Sequence, residues 1–263
     1  MRKKDRVIYY SDPINDDFAG TAIKQKTIDA SYPYKRSRLW RAASFVAYYA
    51  IAMPIVAFIC RFVLGIRVKN KKAIRKLKGG FCLYGNHTYQ LDAFLPPIVA
   101  WPKRAYTIAN ADVAAVKGIA WLAEMLGAVP IPTGLSGMTS FLSAIRGYCD
   151  KGHCIGIFPE AHIWPYYTGI RPLQRVSFRY PVTWDCPMVV MTLTYQHRTG
   201  LNKWRKKPKR TLFISEPMYR NSALSQKEAQ EDLRLRAQAF MDEMAKYSTY
   251  EYIRYEYREN QKS

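Results

Sequence analysis

From Ala42 to Cys60 the chain carries no charged residue, and this run limits the possible folds more than any other feature. As a helix it is about as long as the roughly 20 residues needed to cross the hydrocarbon of a bilayer. The other reading is a helix buried in a soluble core. Lys35, Arg36, Arg38 and Arg41 precede the run, and Arg61, Arg67, Lys69, Lys71 and Lys72 follow it. Cations at both ends give the positive-inside rule no direction, and Pro54 inside the run predicts a kink. The expected element is therefore a kinked, shallow or re-entrant anchor rather than a simple span. The whole chain holds 41 Lys and Arg against 20 Asp and Glu, a net charge of +21. Such a field concentrates polyanions, whether nucleic acid, an anionic membrane face or phosphorylated small molecules. Charge alone does not choose among them.

On either side of the anchor the composition changes. Residues 1–38 read as a polar, turn-rich arm with Asp12, Pro13, Asn15, Asp16 and Asp17; its MRKKDR start and lack of an early apolar stretch predict no cleaved secretion signal. The anchoring segment takes 39–70, an α/β domain 71–220, and a C-terminal helix and tail 221–263. Within the domain, Gly80–Tyr84, Ala105–Ala109, Cys154–Phe158, Met188–Tyr195 and Thr211–Ser215 read as strands, being apolar and bounded by Gly or Pro. Thr139 to Lys151 has helical spacing, and Ser225 with Glu228 matches a capping box that opens a last helix with Leu233, Ala237, Phe240, Met241 and Met244 on one stripe. The fold class is thus a mixed β-sheet flanked by helices, with an N-terminal membrane-anchoring helical segment. Five cysteines without CxxC spacing read as reduced core residues, and no metal site is expected.

Two strand ends carry the chemistry. The first is Gly85-Asn86-His87-Thr88-Tyr89-Gln90-Leu91-Asp92. In an unbroken helix five residues advance about 500°, leaving His87 and Asp92 roughly 140° apart on the cylinder. They meet only if His87 lies in the turn before a helix and Asp92 in its first turns. An aspartate on one ring nitrogen fixes the tautomer and leaves the other as a general base. The second is Phe158-Pro159-Glu160-Ala161-His162, where the carboxylate could bind acceptor hydroxyls, hold neighbouring backbone or cap a helix.

At these residues the chain resembles the glycerolipid acyltransferases related to lysophosphatidic acid acyltransferase. That family carries NHxxxxD, matched by Asn86, His87 and Asp92, and then FPEG, matched by Phe158, Pro159 and Glu160 with Ala161 at the glycine. The resemblance implies transfer of a fatty acyl group from acyl-CoA or acyl-acyl carrier protein to a lipid hydroxyl, His87 and Asp92 as the catalytic dyad, and no metal or covalent intermediate. It implies no cofactor beyond the donor thioester, which acts as co-substrate. The expected partners are the lipid acceptor, the donor (acyl carrier protein among the candidates) and an anionic membrane surface on the cytosolic side. Asn86, Phe158, Pro159, Glu160 and His162 are expected around the substrate.

Departures fall where the family holds its acceptor phosphate. His162, Ile163 and Trp164 stand in place of Thr-Arg-Ser, and Thr133 stands where an arginine follows Gly127 by six residues. Arg171 and Arg175, with Arg146, are the candidate replacements; failing them, the acceptor is a lipid or glycolipid without a phosphomonoester. Three other classes are weaker. A catalytically silent membrane-binding module is opposed by the intact dyad, and a hydrolase by the lack of a GxSxG elbow. Nucleic-acid binding by the basic run Lys203–Arg210 lacks any RNP, KH or zinc-knuckle pattern, so that run reads as a loop touching anionic headgroups.

Overall fold

In the computed structural model, residues 6–18, 27–115, 118, 120–200 and 203–259 are described; of the MRKKDR start only Arg6 falls among them. Seven strands form one sheet: β2 (Ile66–Lys69), β3 (Phe81–Gly85), β4 (Ala105–Ala109), β5 (Ala128–Pro130), β6 (Cys154–Ile157), β7 (Met188–Gln196) and β8 (Lys209–Ile214). Their order is β2-β8-β7-β3-β6-β4-β5. All neighbours are parallel except β7 and β8, so the sheet is mixed as expected. A separate pair, β1 (Val7–Tyr10) and β9 (Arg254–Tyr257), joins the two ends of the chain in parallel.

Period-two alternation explains how the interior strands serve two cores at once. Phe81 and Leu83 of β3, with Val189, Met191 and Leu193 of β7, pack with Val56 and Cys60 of the anchor segment and with Leu95 and Val99. Cys82, Tyr84, Met188 and Val190, on the opposite face, meet Ala229, Leu233, Ala237 and Met241 of the C-terminal helix Gln226–Ala245. That helix opens on the anticipated capping box, with Ser225 N donating to Glu228 Oε2 at 2.9 Å and Glu228 N to Ser225 Oγ at 3.4 Å. A third cluster brings Ile28 and Tyr34 of the arm onto Val129, Phe141 and Ile145.

The charge-free run lies within one helix, Arg38–Val63, long and apolar enough to cross a membrane. The ladder changes beside Pro54, which has no N–H to give it: π-helical turns at Ala47–Ala52 and Ile59–Val63 flank an α-helical Met53–Phe58. Only 28% of its most apolar window is buried, so it is not a core helix. Phe45, Ile51, Ile55, Phe58 and Phe62 all point outward, more than half exposed.

All five cysteines are free, four buried and Cys186 half-buried. The basic run at Lys203–Arg210 divides. Trp204 is exposed, but Arg210 has turned inward from β8 and is 1% exposed, correcting the reading of the whole run as a headgroup-facing loop. Its guanidinium lies over the Tyr89 ring at 4.6 Å and donates to Tyr166 Oη at 3.3 Å.

Candidate active site

Strand β3 ends on Gly85, where a Cβ would stand 2.5 Å from Met191 Cε and 3.1 Å from Phe158 Cε1. Glycine lets the chain turn there between β7 and the loop after β6. Asn86 then substitutes its amide for a peptide group: Nδ2 donates to Leu193 O at 3.0 Å, and Leu193 N donates to Oδ1 at 2.8 Å. This extends the β3–β7 pairing by one residue and delivers His87 just beyond the sheet's C-terminal edge.

His87 and Asp92 meet as the angular argument required. Tyr89 is extended, and a 3₁₀ turn Gln90–Phe94 follows with Asp92 in its first turn. Asp92 Oδ2 accepts from Thr88 N at 2.7 Å and Tyr89 N at 2.8 Å, and lies 3.5 Å from His87 Nδ1. Asp92 is 1% exposed, so its charge is held by peptide donors in a dry setting where such bonds are strong. With Nδ1 beside this carboxylate, Nε2 is the ring nitrogen left to take a proton.

Glu160 takes up one of the roles left open for it, that of holding neighbouring backbone. Its carboxylate accepts from His87 N at 3.0 Å, and from Arg171 N and Arg171 Nη2 at 3.2 Å each. It therefore holds backbone, tying the two motif loops together. Trp164 N donates to His87 O at 3.1 Å and Tyr166 N to Thr88 O at 2.8 Å, which complete that seam. The Phe158 ring stacks on the His87 imidazole, centroids 4.5 Å apart at 23°. Pro159 contributes its carbonyl, accepting from Gln174 N at 3.2 Å.

The basic candidates fare differently. Arg171 is 2% exposed, paired with Glu160, and also donates to the carbonyl of His162. It is a buried counter-ion and not an exposed phosphate clamp, which corrects its assignment. Arg175 is exposed and acts on Glu231 of the C-terminal helix, helping hold that carboxyl below its usual range after the larger effect of its hydrogen bond to Arg234. Arg146 forms an exposed pair with Asp150 at 3.6 Å. His162 turns its ring towards Asp17 of the arm, at 3.7 Å. Burial pushes the Cys154 thiol well above its ordinary pKa, so it offers no thiolate nucleophile. Among the described residues no group of three or more His, Cys, Asp or Glu could hold a metal ion.

Ala161 takes φ +65°, a left-handed conformation that glycine adopts without cost. The glycine of the resembled motif is thus explained by backbone geometry, and this chain keeps the geometry with alanine.

Residues 65–194 match the family model described as Acyltransferase. The fold is similar to that of the 1-acyl-sn-glycerophosphate (LPA) acyltransferase PlsC from Thermotoga maritima, with TM-score 0.56 and 16% identity, covering 79% of this chain and 86% of that one. No curated protein matches the chain.

Proposed function

From the match of residues 65–194 to the acyltransferase model, we propose that this chain moves a fatty acyl group from acyl-CoA or acyl-acyl carrier protein to a hydroxyl of a lysophosphatidic-acid-like glycerolipid. The observation that carries the reading is the His87–Asp92 pair at the open end of β3. His87 takes the proton from the acceptor hydroxyl as its oxygen attacks the thioester carbonyl; Asp92 steadies the imidazolium so formed. The C–S bond then breaks, and the imidazolium returns its proton to the departing thiolate. Stacking on Phe158 and the bonds to His87 N and O fix the ring's approach before substrate arrives.

A cavity of about 720 Å³ between the long helix and Leu95–Ala100, lined by apolar residues together with Arg61, Arg67, Lys69 and Lys71, supports a long-chain substrate. Met53, Pro54, Leu95 and Ile98 line it, and Leu95 begins three residues after Asp92. Membrane attachment through Arg38–Val63, on the cytosolic face, belongs to the same proposal. Its exposed apolar side would otherwise rest in water at a cost of about 25 cal/mol per Å².

A second reading, a lipid acceptor without a phosphomonoester, is favoured by one observation. Thr133 and the Trp164 loop, standing where the resemblance expects arginines, are taken up by the N-terminal arm. Thr133 N donates to Ile28 O at 3.0 Å, and Trp164 Nε1 to Asp16 O at 2.8 Å.

The test is purified His87→Ala in detergent or nanodiscs, given labelled acyl-CoA or acyl-carrier protein and a panel of lyso acceptors, with products read by mass spectrometry. Transfer should fall on the order of 100- to 10,000-fold with unfolding unchanged. Near-normal transfer by that variant would end the general-base reading. Faster acylation of a neutral or glycosylated acceptor by the wild type would replace the first acceptor with the second.

A further inference from the structure

A second cavity, of about 530 Å³, opens where the first turns of the long helix meet β4 and the helix Met138–Asp150. It is remote from the dyad. Arg104 and His153 stand just before β4 and β6, whereas His87 follows β3, and the strands β3, β6 and β4 are mutually parallel. The Arg104 end of the cavity therefore lies at the opposite end of the sheet from His87, and the rest of its lining runs along β5 at the sheet's edge.

The cavity is strongly cationic. Lys35, Arg36, Arg41, Arg104 and Lys151 line it against one carboxylate, Glu124. That carboxylate is already committed, accepting from Arg36 and from Tyr32 Oη. Lys35, Arg41, Arg104 and Lys151 have no carboxylate partner among the described residues. Arg104 is the telling one, because a guanidinium only 6% exposed is ordinarily paired. It is held between the Tyr48 and Tyr106 rings at 4.8 and 4.9 Å. One terminal nitrogen donates to Ser44 Oγ at 2.6 Å and to Met125 O at 2.5 Å, while Nε is buried without a hydrogen-bond partner. A pre-oriented, desolvated cation without a carboxylate beside it suits a phosphate oxygen.

The apolar side of the cavity says which phosphate. Trp40, Phe45 and Tyr49 of the long helix form one wall, and beyond them the exposed Val46, Ile51 and Ile55 continue along the same helix. A soluble phosphate or a nucleotide would use the cations and leave that apolar face bare. We propose that this cavity binds the phosphate headgroup of an anionic bilayer phospholipid, with its acyl chains lying along the exposed face of Arg38–Val63. The bound lipid sets the depth and tilt of the helix, and so the height of the catalytic domain above the bilayer.

The full chain in a neutral-sugar detergent tests this by thermal unfolding during titration with short-chain phosphatidylglycerol. Phosphatidylcholine of the same chain length, inorganic phosphate and adenosine 3′,5′-bisphosphate form the comparison arms. Phosphatidylglycerol should raise Tm saturably, and the other three should not at equal concentration. Arg41→Ala with Lys151→Ala should weaken the response roughly 25-fold, at about fivefold per cation near a lipid phosphate. Arg104→Gln should abolish it; if that variant does not fold, the rim pair decides. His87→Ala should keep the full response, which separates this site from the acyl-transfer reading. Equal stabilisation by phosphatidylcholine, or an unchanged response in the rim double variant, would overturn the proposal. A response to inorganic phosphate or the bisphosphate matching that to phosphatidylglycerol would reassign the site to a soluble phosphate or nucleotide.

Discussion

Glu160→Gln tests whether the second motif serves structure or substrate. Removing one member of a buried ion pair strands the other, at a cost of about 3–5 kcal/mol. Here the stranded group would be Arg171, 2% exposed, whose Nε and Nη1 already have no hydrogen-bond partner. Glutamine is the same length, but His87 N and Arg171 N bond to different carboxylate oxygens, so its one carbonyl oxygen keeps only one of them and its amide NH2 faces the other. The loss should therefore sit near the upper end, roughly 5 kcal/mol. Set against a typical 5–15 kcal/mol of total stability, that is a large share. Thermal or urea unfolding of the purified variant in detergent reads it directly. The companion Glu160→Gln with Arg171→Met removes both charges and should recover roughly 3 kcal/mol of that loss, the part owed to the stranded guanidinium, while the unmet backbone donor remains. Wild-type stability in Glu160→Gln, together with a large fall in kcat/KM, would refute the reasoning and put the carboxylate on the acceptor's hydroxyl.

Three further outcomes follow from other sites. Asp92→Asn keeps an oxygen for Thr88 N and Tyr89 N but loses the charge beside His87, so transfer should drop on the order of 100- to 10,000-fold with circular dichroism unchanged; turnover within a few-fold of wild type would remove Asp92 from the dyad. Ala161→Gly relieves a positive φ at an exposed position and should stabilise the fold by roughly 0.5–1 kcal/mol, since the left-handed penalty exceeds the entropy glycine adds to the unfolded chain; a lower Tm would contradict this. Burial first, and then Arg104, Lys151 and Lys103, lower the His153 pKa below its ordinary value. The unfolded chain thus takes up a proton that the folded one resists, so this contribution is intact above about pH 6.5 and is lost as pH falls towards the folded pKa. His153→Gln should flatten Tm against pH over that interval, and an unchanged slope would show that other groups set it.

What could be read from the sequence was local. Apolar runs bounded by Gly or Pro marked β3, β6 and β7, because strands buried on both faces need no polar alternation. Helix geometry set the condition for His87 and Asp92 to meet, that His87 precede a helix and Asp92 lie in its first turns, and the 3₁₀ turn Gln90–Phe94 meets it. The failures were non-local. Arg171 looks like any surface arginine until Glu160, eleven residues earlier, is found folded against it. Arg210 belongs to a basic run whose neighbours are exposed, and only the pairing of β8 with β7 and β2 carries it inward. The tyrosine-rich tail had no legible role, since β9 finds its partner β1 at the other end of the chain.

That last pairing bears on the acceptor. Trp164 stacks on Tyr255 of β9, centroids 5.1 Å apart at 11°, and meets Tyr10 of β1 at 4.8 Å and Phe18 at 5.2 Å. Tyr255 Oη donates to Pro165 O at 3.0 Å. Both chain ends therefore close over the loop that runs on from Glu160, and Ile28 anchors the same arm at Thr133. In the resembled family those places supply arginines to a phosphate; here they supply an aromatic hub and a backbone tether. The arm and the altered motif residues explain each other, for Trp164 would be exposed without the arm, and an arginine at 163 or 133 would have the arm across its path. Acceptor selection should accordingly depend on the arm. Trp164→Ser should loosen the clasp and change the ratio of kcat/KM between phosphorylated and neutral lyso acceptors, while transfer to the preferred one still requires His87. A ratio unchanged by that substitution would leave the arm a structural strap with no part in recognition.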